Sequence, residues 1–185
     1  MIIFIHGFGS DGMSSSTGNS LKEAFPNEKI ICVSYDYLNP AVDIANIINL
    51  INDMTEDVTL IGISLGGFIA RYVASQCANV ERLILLNPSL NAPDSLKKYE
   101  GTDVNGRIVP LGFSDAYSPM IVQSDHPELP IFVIVGILDD VVEPSHTIET
   151  YRERAAVMVV ECGHKIPFTN EIKNYINKAM NIIFG

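Results

Sequence analysis

Apolar residues fall along this chain in two alternating rhythms. Nearly unbroken runs occupy 2–5, 30–33, 58–63, 83–86, 131–137 and 157–160, while several of the stretches between them place apolar residues every three or four positions. A short apolar run predicts a strand buried on both faces, and the three-to-four repeat predicts an amphipathic helix. The clearest helix is 40–53, with Val42, Ile44, Ala45, Ile47, Ile48 and Ile51 on its stripe and Pro40 in its first turn. Shorter helices are predicted at 21–25, ended by Pro26, and at 145–154. A closing helix at 170–183 carries Ile172, Tyr175, Ile176, Ala179, Met180 and Ile183 on one stripe. Strand and helix alternate, which predicts an α/β fold: a mostly parallel sheet with helices on both faces.

Two stretches depart from this rhythm. Residues 10–20 are small and polar and read as a flexible loop. Residues 90–128 are rich in Gly, Pro, Ser and Asp, with one predicted helix near 92–99, and read as a lid, a pocket wall or a plain surface excursion. Their apolar members, Leu111, Phe113, Met120, Ile121 and Val122, either line a pocket or pack on the sheet.

The run 58–63 ends in Gly62-Ile63-Ser64-Leu65-Gly66-Gly67, followed by helix-spaced Phe68, Ile69, Tyr72 and Val73. A Gly-x-Ser-x-Gly between a strand and a helix is a nucleophile elbow, in which the serine stands out at the strand tip and side chains at the flanking glycines would meet backbone. The helix begins beside the serine, so its free N–H groups face any negative charge that builds up there.

With 185 residues the chain is expected to form one domain over 1–185, and 47% hydrophobic against 18% charged residues argues for a packed core. Net charge is −10, with no basic cluster, which argues against nucleic acid and anionic membrane surfaces as partners. The start Met1-Ile2-Ile3-Phe4-Ile5-His6 carries no signal-peptide pattern, and no run is long enough to span a bilayer, so a cytoplasmic location is expected. Cys32, Cys77 and Cys162 are widely spaced and odd in number, which predicts reduced, packed thiols. No metal-ligand spacing and no phosphate-binding loop occurs, so neither metal nor cofactor is expected.

A serine hydroxyl becomes a useful nucleophile when a histidine accepts its proton, and the histidine works best when a carboxylate fixes its tautomer. In parallel sheets such residues gather at the carboxyl ends of strands. Three predicted strand ends carry Ser64, then Asp139 or Asp140, then His164, the order nucleophile, acid, base. Asp139, the first polar residue after its strand, is the preferred acid. Two backbone donors are needed for an oxyanion, one from Leu65 and one from the loop His6-Gly7-Phe8-Gly9, where Phe8 is the candidate. His6 reads as a structural hydrogen-bonding residue; His126 and His146 fall in a loop and at a helix start.

With these segments in view, the chain resembles the α/β-hydrolases and, more narrowly, the small YqiA-type esterases. The similarity lies in His6-Gly7-Phe8, the elbow, Leu86-Asn87-Pro88-Ser89, Gly136-Ile137-Leu138-Asp139-Asp140-Val141-Val142 and Cys162-Gly163-His164. It implies a minimal α/β-hydrolase fold with early strands missing, and hydrolysis of short-chain carboxylic esters without a cofactor. The family's Gly-x-x-Asp-x-Val pattern sets its acid on Asp139. The same residues also suit an acyl thioesterase or small amidase, and a silent hydrolase fold would serve as a binding protein. The loop 9–20 is longer and richer in serine than the group leads one to expect.

Overall fold

Each residue of the first apolar run finds a buried environment on one side of a sheet or the other. In β1 (Ile2–Ile5), Ile3 and Ile5 join the core on one face, and Ile2 and Phe4 join the core on the opposite face. Successive side chains of a strand point to opposite faces, so a strand covered on both sides is apolar throughout. The computed structural model describes residues 1–181, and in it the same pattern holds for β3 (Val58–Ile63) and for β7 (Ile131–Gly136), all of whose residues are buried.

Between β1 and β3 lie α1 (Ser16–Ala24), β2 (Ile30–Val33) and α2 (Ala41–Asn52). The chain continues through α3 (Leu65–Ala74), β4 (Val80–Leu86) and α4 (Ala92–Leu96), then a hairpin of β5 (Asp103–Val104) and β6 (Arg107–Ile108). After β7 come α5 (Pro144–Tyr151), β8 (Ala156–Val160) and α6 (Asn170–Asn181). The main sheet has six strands in the order β2-β1-β3-β4-β7-β8, and every pairing is parallel. Helices α1 and α6 cover one face with Leu21, Ile172 and Ile176; α2, α3 and α5 cover the other with Ile44, Ile47, Phe68, Ile69 and Tyr151.

The order reverses between β1 and β3. From β1 the chain steps outward to β2, then crosses back to β3 and proceeds the other way. At such a switch point the loops leave for opposite faces of the sheet and open a crevice at the carboxyl ends of the strands. The loop after β1 and the turn after β3 border that crevice.

The periodic elements lie close to the sequence expectation. The differences fall where local capping decides. The polar stretch 10–20 is half helix, because the Ser15 hydroxyl accepts from the Gly18 N–H and starts α1 five residues before the apolar pattern does. β4 begins at Val80 rather than 83, and α5 begins at Pro144, with the Glu143 carboxylate accepting from Ser145 N–H, and ends at Tyr151. Of the closing helix, Ile183 lies outside the described residues.

Within 90–128, a turn of 3₁₀ helix (Lys97–Tyr99) extends α4, and a second (Phe113–Met120) packs beside it. Phe113 and Met120 are buried in the α2/α3-side core, whereas Leu111 and Ile121 are exposed. The three cysteines are free, and burial pushes the Cys77 thiol up to about 11. Among the described residues no helix is long and apolar enough to cross a membrane, and no group of three His, Cys, Asp or Glu side chains gathers to hold a metal.

Candidate active site

Ser64 joins β3 to α3 at φ 55°, ψ −121°, a region that costs a non-glycine residue on the order of 1–3 kcal/mol. The surroundings enforce it. A Cβ at Gly62 would collide with the Gly66 carbonyl, and one at Gly66 would collide with the carbonyls of Ile5 and His6. The turn therefore closes tightly against the end of β1, and the Ser64 N–H donates to the Leu86 carbonyl at 3.0 Å, tying the elbow to β4 as well. Among the described residues the Ser64 hydroxyl makes no hydrogen bond, which leaves it open to the crevice.

The residues expected as acid and base follow β7 and β8. The Asp139 carboxylate is almost fully buried, and its Oδ2 lies 2.8 Å from His164 Nδ1. Its other oxygen accepts from the N–H groups of Val141 and Val142 at 2.8 and 3.0 Å. Both oxygens are thus occupied, which fixes the carboxylate plane and directs the proton of the ring to Nδ1, while among the described residues Nε2 has no hydrogen-bond partner. Asp140, the alternative acid, is exposed and carries no such contact. Ser64 and His164 line the same two cavities.

The loop after β1 brings two more of the expected residues to the serine. A Cβ on Gly7 would stand 3.8 Å from Ser64 Oγ, so the 7–8 backbone runs alongside the hydroxyl. His6 is fully buried, stacks on Tyr35 with ring centroids 4.3 Å apart, and donates from Nδ1 to the Gly7 carbonyl at 2.8 Å. In a trans peptide the carbonyl and the following N–H point to opposite sides, so holding the Gly7 carbonyl also directs the Phe8 N–H. Burial holds the His6 imidazole below its ordinary range, despite the opposing hydrogen bond to Gly7. Among the described residues neither the Phe8 nor the Leu65 N–H has a hydrogen-bond partner, which leaves both available to an oxyanion. The Phe8 ring packs against Tyr37, Tyr99 and Phe113 at 4.7–5.8 Å.

Two cavities meet at Ser64. One, about 260 Å³, is walled by Phe8, Leu65, Leu96, Tyr99, Val141 and Val142. The other, about 210 Å³, is bordered by Ser10, Ser15, Ser16, Thr17 and Lys165. The first is apolar and the second hydroxyl-rich. Part of the 90–128 stretch, through Leu96, Lys98 and Tyr99, is therefore wall to the apolar cavity, while none of Leu111, Phe113, Met120, Ile121 and Val122 lines it.

Sequence reasoning missed how much Asn87-Pro88-Ser89 does here. The Ser89 N–H donates to the Ser64 carbonyl at 3.0 Å, and Pro88 lies so close to Gly67 that a Cβ there would stand 2.7 Å from its ring. The signal was a glycine pair and an Asn-Pro at a strand end, and its meaning depends on which strands become neighbours.

Comparison with curated proteins returns no match. Among solved structures the chain is similar to Est1E from Butyrivibrio proteoclasticus at 13% identity and TM-score 0.72, covering 97% of this chain and 87% of that one. It is similar to alpha/beta hydrolase domain-containing protein 10 from mouse at 16% identity and TM-score 0.71, with the same coverage of both chains. A pyrethroid hydrolase from Sphingobium faniae JZ-2 aligns at 16% identity and TM-score 0.69, covering 97% of each chain. At these identities the likeness is one of fold, and the fold is that of the α/β-hydrolases. The sequence itself matches the uncharacterised protein family UPF0227 over residues 1–183, and the chain belongs to that family.

Proposed function

We propose that the protein is a serine carboxylesterase that hydrolyses short-chain carboxylic esters through an acyl-enzyme. The observation that carries this reading is the pair of His164 Nδ1 and buried Asp139 at 2.8 Å, bordering the same cavities as a serine held in a strained elbow. Ser64 Oγ attacks the acyl carbon and its proton passes to His164 Nε2. The N–H groups of Phe8 and Leu65 receive the charge on the acyl oxygen. His164 then returns the proton to the departing alcohol, and water, activated by the same nitrogen, releases the acid from Ser64. Asp139 keeps the ring in the required tautomer throughout. The esterase and hydrolase names among the structural neighbours support the reaction class.

The size of the apolar cavity supports short acyl groups. A void of about 150 Å³ holds a benzene ring, so about 260 Å³ holds less than two such volumes. The hydroxyl-rich cavity suits the polar half of the ester.

The test is hydrolysis of p-nitrophenyl esters from acetate to palmitate, with acyl thioesters alongside, by wild type and Ser64→Ala. The expected result is turnover of the short oxygen esters and a fall in kcat of about 10⁶ in the variant, the scale seen when a triad serine is removed. Covalent labelling by a fluorophosphonate should disappear with it. A variant that keeps a near-normal rate, or a wild type that neither turns over nor labels, overturns the proposal.

A further inference from the structure

Pairing between β7 and β8 ends at Gly136 and Val160, and beyond that point the two chains must diverge to form the acid loop and the base loop. Both loops bear on the same imidazole, so something has to fix the distance between them. Two backbone bonds do so at first, as the N–H groups of Ile137 and Leu138 donate to the carbonyls of Val160 and Cys162 at 2.9 and 3.0 Å. Among the described residues no backbone hydrogen bond joins the two loops beyond Cys162.

Asn87, from the end of β4 on the far side of β7, takes over. Its Nδ2 donates to the Gly163 and His164 carbonyls at 3.2 and 2.9 Å, and its Oδ1 accepts from the Gly136 N–H at 2.7 Å. Two carbonyls on one side and one N–H on the other leave the carboxamide a single orientation. The side chain is 2% exposed and sits at φ 42°, a left-handed conformation that asparagine tolerates better than most residues. Gly136 makes the reach short enough, since a Cβ there would stand 2.5 and 2.6 Å from the Gly163 and Cys162 carbonyls. Two residues on, Ser89 holds the Ser64 carbonyl, so one three-residue segment touches the nucleophile turn, the acid strand and the base loop.

We propose that Asn87 is a positioning residue for the reaction: its carboxamide sets the His164 backbone so that the ring meets Asp139 and borders the cavities that Ser64 lines. This rests on the serine esterase reading. Asn87 touches no reacting atom, and its effect passes through the placement of His164. An aspartate at 87 would set its own oxygens against two carbonyl oxygens, and a hydrocarbon would take away the side-chain partner of three backbone groups, the Gly136 N–H among them buried.

Asn87→Gly keeps the left-handed backbone accessible and removes the side chain, carboxamide included. The variant is titrated with a fluorophosphonate, so that rates are expressed per reactive serine, and kcat and KM are measured on p-nitrophenyl butyrate. A displacement of about 1 Å in a catalytic group lowers the rate about 10²-fold, so kcat per site should fall between about 10- and 100-fold, with KM within about threefold of wild type. A purely structural role would lower the number of titratable sites and leave their individual kcat unchanged, and kcat per site within twofold of wild type overturns the proposal. If the variant does not fold, exchange of the Asn87 side-chain amide protons in ¹⁵N-labelled wild type decides. Exchange at least about tenfold slower than at exposed Asn49 supports the clamp, and equal rates overturn it. That measurement stands even if wild type hydrolyses no ester, an outcome that would remove the esterase reading and be seen before any Asn87 variant is made.

Discussion

The strand ends and the 90–128 stretch both border Ser64, and they are held by different kinds of contact. Ser64, Asp139 and His164 sit one to four residues beyond β3, β7 and β8, and backbone hydrogen bonds of 2.9–3.1 Å carry the sheet's order into their loops. The 90–128 stretch, by contrast, is fastened largely by side chains. At its root the Arg71 guanidinium of α3 meets Asp125 at 2.9 Å, both nearly buried, and Tyr151 donates to the other Asp125 oxygen at 3.0 Å. At its tip Arg107 of the hairpin meets Asp36 at 2.8 Å in the open. On the proposed mechanism, reaction geometry therefore belongs to the part held by the sheet's backbone bonds, and pocket shape to a part attached through separable side-chain contacts. Substitutions in the first should change kcat, and substitutions in the second should change stability or substrate fit.

The largest effect in this comparison is expected at the acid. Asp139→Asn keeps the shape but presents an amide where His164 Nδ1 needs an acceptor, so the ring turns to the wrong tautomer. The corresponding change in Ser-His-Asp enzymes lowers kcat about 10⁴-fold, and on the proposed mechanism that is the expected result here. Asp140→Asn, one residue along and exposed, should leave kcat within about twofold. Steady-state kinetics on both variants checks the pair, and a larger loss at Asp140 would break the assignment of the acid.

The root of the 90–128 stretch comes next. Asp125→Ala leaves Arg71 buried without its counter-charge, a change that costs about 3–5 kcal/mol when a buried pair loses one member. Against a total of about 5–15 kcal/mol this should lower the melting temperature by about 10 °C, at about 2–4 °C per kcal/mol for a chain of this size. The rate per titrated serine should stay near wild type. Thermal melts and active-site titration separate the two effects. A fall in kcat per site with no change in melting would mean that this root, too, sets the geometry of the reaction.

What could be read in the sequence follows the same division. The parallel sheet was legible because its strands are apolar on both faces, and the elbow because Gly62, Ser64 and Gly66 lie within five residues. Ser64, Asp139 and His164 come to one crevice because each follows a strand, and strand ends can be counted along a chain. The contacts of Asn87 were not legible. They depend on β7 lying between β4 and β8, and they join residues 49 to 77 positions apart. The course of 90–128 was hidden for the same reason: Phe113 and Met120 are buried and Leu111 is exposed, although the local pattern treats them alike. The start of α1 was missed because a serine cap, not an apolar stripe, decides it.

The smallest effect is expected at the hairpin tip, and its dependence on conditions identifies it. Arg107 donates through both terminal nitrogens to the two Asp36 oxygens at 2.8 and 3.1 Å and lies over the Tyr37 ring at 5.2 Å. Both charged side chains are more than a third exposed, so water and salt screen the pair, and Arg107→Ala should destabilise by less than about 1 kcal/mol. Two controls sharpen so small a number. Hydrogen bonding to Arg107 holds the Asp36 carboxyl below its usual range, so the folded state binds that proton more weakly than the unfolded state does. The stabilisation is therefore present above the ordinary carboxylate pKa and is lost as pH falls through the lowered value, and the difference between wild type and variant should shrink on that side. Raising salt from about 0.02 to 0.5 M shortens the screening length several-fold and should also narrow the gap. Urea midpoints at two salt concentrations and at pH 7 and 3.5 read both. A difference that persists through both changes would mean that Arg107 holds the hairpin by packing on Tyr37 and not by charge.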